Sequence, residues 1–315
     1  MGYIRTTNKA INDTVLQHYY VNLNKLTELQ KQIASGKRVD EPSDDPRASI
    51  DIMSSNTALS KLETYKSNIN SATSKLEMVD SQLSNLSDKI QRAKELSVQA
   101  ANGGYKDSDL VGIKEEINQI ISSIRDIANT KFGSNYIFGG VNTLNAPYTT
   151  TDDGQVIYSG TLSTDDFQSN IEIGDNMVIN TSVSGDEIFG YYVSDGATPP
   201  TYSGKGIFGT LGDLYAALSA DPIDQAAISA SLDRFDEDLN TVLKVQARIG
   251  GTLNRLEMTA NKLENDEITF SEFKNNAEGV DLAKAVSDLA YQDTSFQASL
   301  KISATLMRNS LLNYL

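Results

Sequence analysis

Between Leu62 and Ile90 a large aliphatic residue returns every seven positions, as Leu62, Ile69, Leu76, Leu83 and Ile90. A second series stands three residues after each of these, as Tyr65, Ala72, Val79, Leu86 and Ala93. Alternating steps of three and four keep a narrow stripe on one side of a helix, which is the seam of a coiled coil. Neither Gly nor Pro occurs from Arg47 to Asn102, so nothing forces a kink. The spacing predicts one helix from Pro46 to Asn102, a rod of roughly 80 Å at about 1.5 Å per residue. A bare apolar seam is unfavourable in water, so other segments must cover it.

Two segments have the right pattern. After the Gly103-Gly104 break, Asp107 or Ser108 opens a helix with Leu110, Ile113, Ile117, Ile120, Ile124 and Ile127 as its stripe. The short break predicts an antiparallel hairpin with the rod. Asp221-Pro222 then carries a helix-start signature, followed by Leu232, Phe235, Leu239, Val242, Ile249, Leu253, Leu256, Ala260 and Leu263. Gly250-Gly251 inside this segment is expected to weaken it locally. Between the two, from Phe132 to about Gly209, the period becomes two. Asp153-Gly154 and Gly174-Asp175 lie between short alternating runs, each a hairpin signal. Asp195-Gly196 and Pro199-Pro200 mark an irregular loop.

The ends are different. Residues 8–38 space Ile11, Val15, Tyr19, Asn22, Leu26, Leu29 and Ile33 as one helical face, with Asn22 inside it. Residues 281–313 do the same with Leu282, Leu289, Phe296, Leu300, Met307 and Leu311, among many Ala, Ser and Gln. Such thin stripes bury too little apolar surface to fold alone, so both ends are expected to be disordered in a free monomer and helical once packed. Ser35-Gly36 stops the first helix. Asp45 is suited to cap the rod, with Pro46 at the first helical position, where a missing N–H costs nothing.

The predicted fold is therefore mainly α with a β-rich insertion, a long antiparallel helical bundle carrying a central β domain, with the terminal helices paired. Three regions follow: a terminal coiled-coil domain of 1–42 and 269–315, a bundle of 43–131 and 210–268, and a β-rich domain of 132–209. Nesting of this kind brings the ends together at one pole and puts the β domain at the other.

Composition excludes several functions. The formal net charge is −15, which argues against a nucleic-acid partner. The first 38 residues nevertheless carry six bases against two acids, so the acid lies in the middle of the chain. There is no cysteine, so neither disulfides nor thiolate metal sites are available. His18 is the single histidine, which leaves no triad and no histidine metal site. Ser35-Gly36-Lys37 lacks the preceding glycine of a phosphate-binding loop. Asp44-Asp45 reads as helix capping and Asp152-Asp153 as a turn. No catalytic, cofactor or metal residues are expected. No run of 18 apolar residues suggests a membrane span, and residues 1–20 lack the apolar core of a cleaved signal peptide. Met1-Gly2 with Thr6 formally matches an N-myristoylation pattern, without a basic cluster or second anchor beside it.

Ser35-Gly36-Lys37-Arg38-Val39 followed by Pro42-Ser43-Asp44-Asp45-Pro46 resembles a signature of the flagellin-like family of bacterial flagella. This family includes filament subunits and the hook-associated subunits of the hook–filament junction, and the Pro-Ser-Asp-Asp-Pro form is closer to the junction members. Tyr136-Ile137-Phe138-Gly139-Gly140 with Pro147-Tyr148 is similar to the family's passage from helix to β domain. Tyr158-Ser159-Gly160, Asn180 and Gly185-Asp186-Glu187-Ile188-Phe189-Gly190 resemble its β-domain pattern. Asp281-Leu282-Ala283, Leu289, Gln297-Ala298 and Leu300 resemble its C-terminal helix. The matches run in order along nearly the whole chain; the Tyr3 start and Gly250-Gly251 depart from the pattern.

The resemblance implies a structural subunit, not an enzyme, that leaves the cell unfolded through the flagellar type III channel without signal cleavage. A cytoplasmic chaperone would shield its C-terminal segment. Outside, its two ends would fold together against identical neighbours, making a ring with a hook-associated protein on the hook side and flagellin on the filament side. Neither membrane nor nucleic acid is a partner in this scheme. The assembly residues would be Ile11, Val15, Asn22, Leu26, Leu29 and Ile33 with Leu282, Leu289, Phe296, Leu300, Met307 and Leu311. The alternatives are a filament flagellin or an exported adhesin whose β domain binds a ligand.

Overall fold

The computed structural model describes residues 8–102, 107–140, 142–150, 156–159, 169–194, 202–220 and 223–312. The element order is α1 (Asn8–Ser35), α2 (Pro46–Ala101), α3 (Asp107–Ala128), β1 (Lys131–Phe132), β2 (Asn135–Tyr136), β3 (Tyr148–Thr150) and β4 (Val156–Tyr158). It continues with β5 (Asn170–Gly174), β6 (Met177–Asn180), α4 (Gly185–Phe189), β7 (Tyr191–Ser194), β8 (Tyr202–Lys205), α5 (Gly206–Ser219), α6 (Gln225–Glu278) and α7 (Leu282–Leu312). The chain divides into two units, one of residues 1–61 with 265–315 and the other of residues 62–264.

In the second unit the heptad seam of α2 is its interior. From Ile69 to Leu96 every a- and d-type residue is at most 2% exposed, Ala72, Val79, Leu83, Leu86 and Ala93 not at all. Each large aliphatic side chain buried in this way contributes about 1.5–3 kcal/mol. Helix α3 covers one side with Leu110, Ile113, Ile117, Ile120 and Ile124. Arg92 Nε donates to Glu116 Oε1 at 2.7 Å, and the two residues stand equally far from the intervening break, as antiparallel neighbours must. The Gly103-Gly104 break itself lies outside the described residues.

Helix α6 covers the other side. Lys94 pairs with Asp236 at 2.5 Å and Asp80 with Gln246 at 3.4 Å, so α6 runs antiparallel to α2. Its deepest residues are Ile228, Phe235, Val242, Val245, Ile249 and Leu256. Leu232, Leu239, Leu253 and Ala260 of the expected stripe are only half-buried, because the real stripe is rotated toward Ile228 and Val245. The Asp221-Pro222 start lies outside the described residues; the helix begins at Gln225, where Asp224 Oδ1 accepts from the Ala227 N–H at 3.0 Å. It runs without interruption through Gly250-Gly251.

The β-rich part comprises four antiparallel hairpins, β1–β2, β3–β4, β5–β6 and β7–β8. The β3–β4 register pairs Tyr148 with Tyr158 and Thr150 with Val156; Asp153-Gly154 lies outside the described residues, as do Asp152, Gly160, Asp195-Gly196 and Pro199-Pro200. In β5–β6 the turn is Asp175-Asn176, one residue later than expected. Gly174 still pairs, and Asn176 takes the positive φ of 58°. Tyr65 of α2 donates its hydroxyl to Asp175 Oδ1 at 2.9 Å, and Asn68 Nδ2 donates to the Glu172 carbonyl at 2.8 Å. These bonds fasten the hairpin to the bundle.

Two helices within 132–219 are additions to the expected pattern. Helix α4 is the Gly185-Asp186-Glu187-Ile188-Phe189 stretch, and α5 buries Ile207, Phe208, Leu211, Leu214, Ala217 and Leu218. An aromatic cluster joins them to the strands: Tyr148 lies 5.6 Å from Phe189 and 5.1 Å from Phe208, and Phe138 lies 4.9 Å from Phe189. Against α6, Thr210 Oγ1 donates to Asp238 Oδ2 at 2.7 Å. Burial pushes the Asp238 carboxyl up to about 6.

Candidate functional site

The first unit is built from α1, α7, the opening of α2 and the closing turns of α6. Tyr19 meets Phe296 with ring centroids 5.3 Å apart. Gln292 Nε2 donates to Asn22 Oδ1 at 3.2 Å and to the Asn22 carbonyl at 3.3 Å. As position falls along α1 it rises along α7, so the helices are antiparallel in one register. On α1 the face Val15, Tyr19, Asn22, Leu26, Leu29 and Ile33 is half-buried. On α7, Leu289 and Phe296 are half-buried and Ala285 is buried.

Leu282 and Leu300 are not on that face: they are 53% and 43% exposed. Their places are taken by Ala285, Gln292, Ser295, Ser299 and Ser303, small or polar groups that let the helices approach closely. A search for aliphatic residues at helical spacing could not find them. The side chains of Ile11, Met307 and Leu311 lie outside the described part. Apolar groups elsewhere on the pair face solvent: Leu16, Tyr20 and Val21 on α1, and Val286, Tyr291 and Ile302 on α7, with Tyr291 77% exposed.

The signature residues form the elbow between α1 and α2. Gly36 ends α1 with φ of 72°, a conformation in which a side chain is strained. The chain then pairs, antiparallel, with the turn between α6 and α7. The Arg38 N–H donates to the Glu278 carbonyl at 2.7 Å, and the Val280 N–H to the Gly36 carbonyl at 3.1 Å. Lys37 Nζ forms an ion pair with the Glu278 carboxylate, and Arg38 Nη2 donates to the Ala277 carbonyl at 3.1 Å. Arg38 Nη1 also reaches Asp45 Oδ2 at 3.0 Å.

Each acid of the signature has its own task. Asp44 Oδ2 accepts from the Asp40 and Glu41 N–H groups at 3.0 and 2.9 Å, which hold its carboxyl below the usual range. Asp45 Oδ1 accepts from the Ala48 N–H at 3.1 Å and caps α2; that bond, helped by Arg38, holds its carboxyl low as well. Lys37 is shifted up by its bond to Glu278. Val39 is buried beneath. Ser35 Oγ accepts from the Lys37 N–H at 3.2 Å, and Pro42 lies in the exposed bend.

This arrangement supports association. His18 stands exposed on α1. Among the described residues no group of three His, Cys, Asp or Glu side chains is placed to hold a metal, and no helix is long and apolar enough to cross a membrane. A helix pair with exposed apolar side chains, in a chain that also folds a buried heptad bundle, is the build of a structural subunit.

Comparison with known proteins names the class. Residues 7–143 match the bacterial flagellin N-terminal helical region and residues 232–315 match the bacterial flagellin C-terminal helical region. Together these span more than two thirds of the chain, with the β-containing middle between them; the chain belongs to the flagellin family. The flagellar hook-associated protein 3 of Escherichia coli is 29% identical over 93% of this chain and 96% of its own. The flagellin of Bacillus subtilis is 28% identical, but over 67% of this chain and 66% of its own. The fold is like that of the hook-associated protein 3 of Legionella pneumophila, with a TM-score of 0.60 over 70% of this chain and 97% of that one, at 17% identity.

Proposed function

We infer that this chain is a structural subunit of the bacterial flagellum that joins the hook to the filament. Its hook-associated relatives are 28–29% identical over 90–93% of the chain, whereas flagellins that cover 88–89% of it are only 21–24% identical. The observation that carries the mechanism is the apolar surface left open on both α1 and α7 in a single copy. Copies in a ring bury that surface against one another, and ordering of the ends is then compensated by intersubunit contact.

Within this reading, residues 1–42 and 269–315 are the assembly domain, 43–131 and 210–268 the bundle, and 132–209 the outer domain. The half-buried face of α1 and Leu289 and Phe296 of α7 hold the pair together. Leu282 and Leu300, exposed in one copy, contact a neighbour. The ring meets a hook-associated protein on one side and flagellin on the other. Export is through the flagellar type III channel, with a chaperone on the C-terminal segment.

Electron microscopy of a deletion strain tests this function. The expected result is hooks without filaments and flagellin monomers in the medium, restored by the intact gene. Normal filaments in that strain would refute the junction role. The filament reading makes the opposite demand on the purified chain, which would then polymerise alone into long filaments.

A further inference from the structure

The signature Ser35–Pro46 is explained so far as a cap and a bend, yet a bend needs no lysine. Lys37 and Arg38 both turn toward the α6–α7 corner, where Glu278, only 8% exposed, receives Lys37. The corner is built for this approach. A Cβ on Gly279 would stand 2.6 Å from the Asn275 carbonyl oxygen, so the backbone can close there only as glycine. Two backbone hydrogen bonds, one ion pair and one arginine–carbonyl bond thus join positions about 240 residues apart in sequence.

We propose that this clasp, with Glu278 as its positioning residue, sets the register in which α1 and α7 pair. The helix pair has little register information of its own. Its shared face mixes Asn22, Gln292, Ala285, Ser295 and Ser299 with Val15, Tyr19, Leu26, Leu29, Ile33, Leu289 and Phe296, and a slip of one heptad places Asn22 opposite Ser299 instead of Gln292. Among the described residues the Asn22–Gln292 hydrogen bonds and the Tyr19–Phe296 ring contact favour the observed pairing, and a polar pair is the usual device for fixing register. The clasp fixes it from outside the helices. It anchors the C-terminal end of α1 to the N-terminal end of α7, leaving no slack for a slip. The outward faces, with Tyr20, Val21, Tyr291 and Leu300, are then presented in one fixed combination to a neighbour. The inference rests on the reading of α1 and α7 as the assembling pair.

The absence of cysteine makes the register directly readable. The double variant Asn22→Cys, Gln292→Cys reports the observed pairing and removes the Asn22–Gln292 hydrogen bonds. Asn22→Cys with Ser299→Cys reports the slipped one. Crosslinking is carried out on the full-length chain, both purified and in isolated flagella, with the helicity of the whole chain as a control. In the parent background the 22–292 pair should crosslink and the 22–299 pair should not. Lys37→Glu or Glu278→Lys alone should lose the 22–292 crosslink, and combining the two reversals should restore it. Retention of the crosslink in either single reversal overturns the proposal. So does loss that the combined reversal fails to rescue, the result expected if Lys37 instead contacts another protein. Hooks and filaments in the deletion strain are scored separately, so failure of the clasp and failure of the junction role are told apart.

Discussion

The seam of α2 and the face of α1 obey the same three-and-four spacing, but only one of them is finished in a single copy. Along α2 the spaced positions hold Leu, Ile, Val and Ala, and from Ile69 to Leu96 they are withdrawn from water. Along α1 the same positions include Tyr19 and Asn22, and none whose side chain is described is fully buried. Spacing fixes which side of a helix is covered; residue type fixes how completely. The bundle has its covering helices in the same chain. The terminal pair is one layer short, and that shortfall is what the proposed assembly would fill.

The contrast can be broken most directly at its strong end. Leu83→Ala removes a fully buried side chain and should lower the stability of the second unit by about 3 kcal/mol, read by chemical denaturation followed by helicity. A loss below about 1 kcal/mol would mean the seam is not the stabilising core. At the weak end, Leu300→Asp places a charge on a side chain already 43% exposed. It should leave that denaturation midpoint unchanged yet abolish incorporation into flagella, scored by immunoblot. A shifted midpoint would put the C-terminal helix in the permanent core.

A smaller effect sharpens the picture of what the second unit tolerates. Burial raises the Asp238 carboxyl from an ordinary 3.8 to about 6. The folded state therefore favours the protonated form. That contribution is fully present below about pH 4 and is lost as the pH rises through about 6. Asp238→Asn keeps an acceptor for Thr210 without the charge. It should stabilise the protein at pH 7.5 by at most roughly 3 kcal/mol and by little at pH 4. An equal gain at both values would contradict the sign of the shift.

Much of this was legible because heptad spacing and capping are local. Leu62 to Ala93 could be placed on one face, and Asp45 at a helix start, without knowing the fold. The parts that were not legible are those decided by distant partners. Helix α5 buries one face, Ile207, Phe208, Leu211, Leu214 and Leu218, but it is only 14 residues long and follows β8 directly, so no break in the chain announces it. The contact face of α7 is carried by Ala285, Ser295 and Ser299, whose role comes from being small beside α1. Glu278 reads as an ordinary surface acid until Lys37 is brought to it.

Asn22 and Gln292 are 270 residues apart, and that separation has a consequence in time. The chain is made from its N-terminus, so α1 exists long before its partner does. Closing so large a loop is slow relative to local helix formation, and α1 must wait for α7. A truncated chain can complete the heptad bundle but offers α1 nothing to pair with. The terminal pair therefore forms only in a chain that carries both α1 and α7.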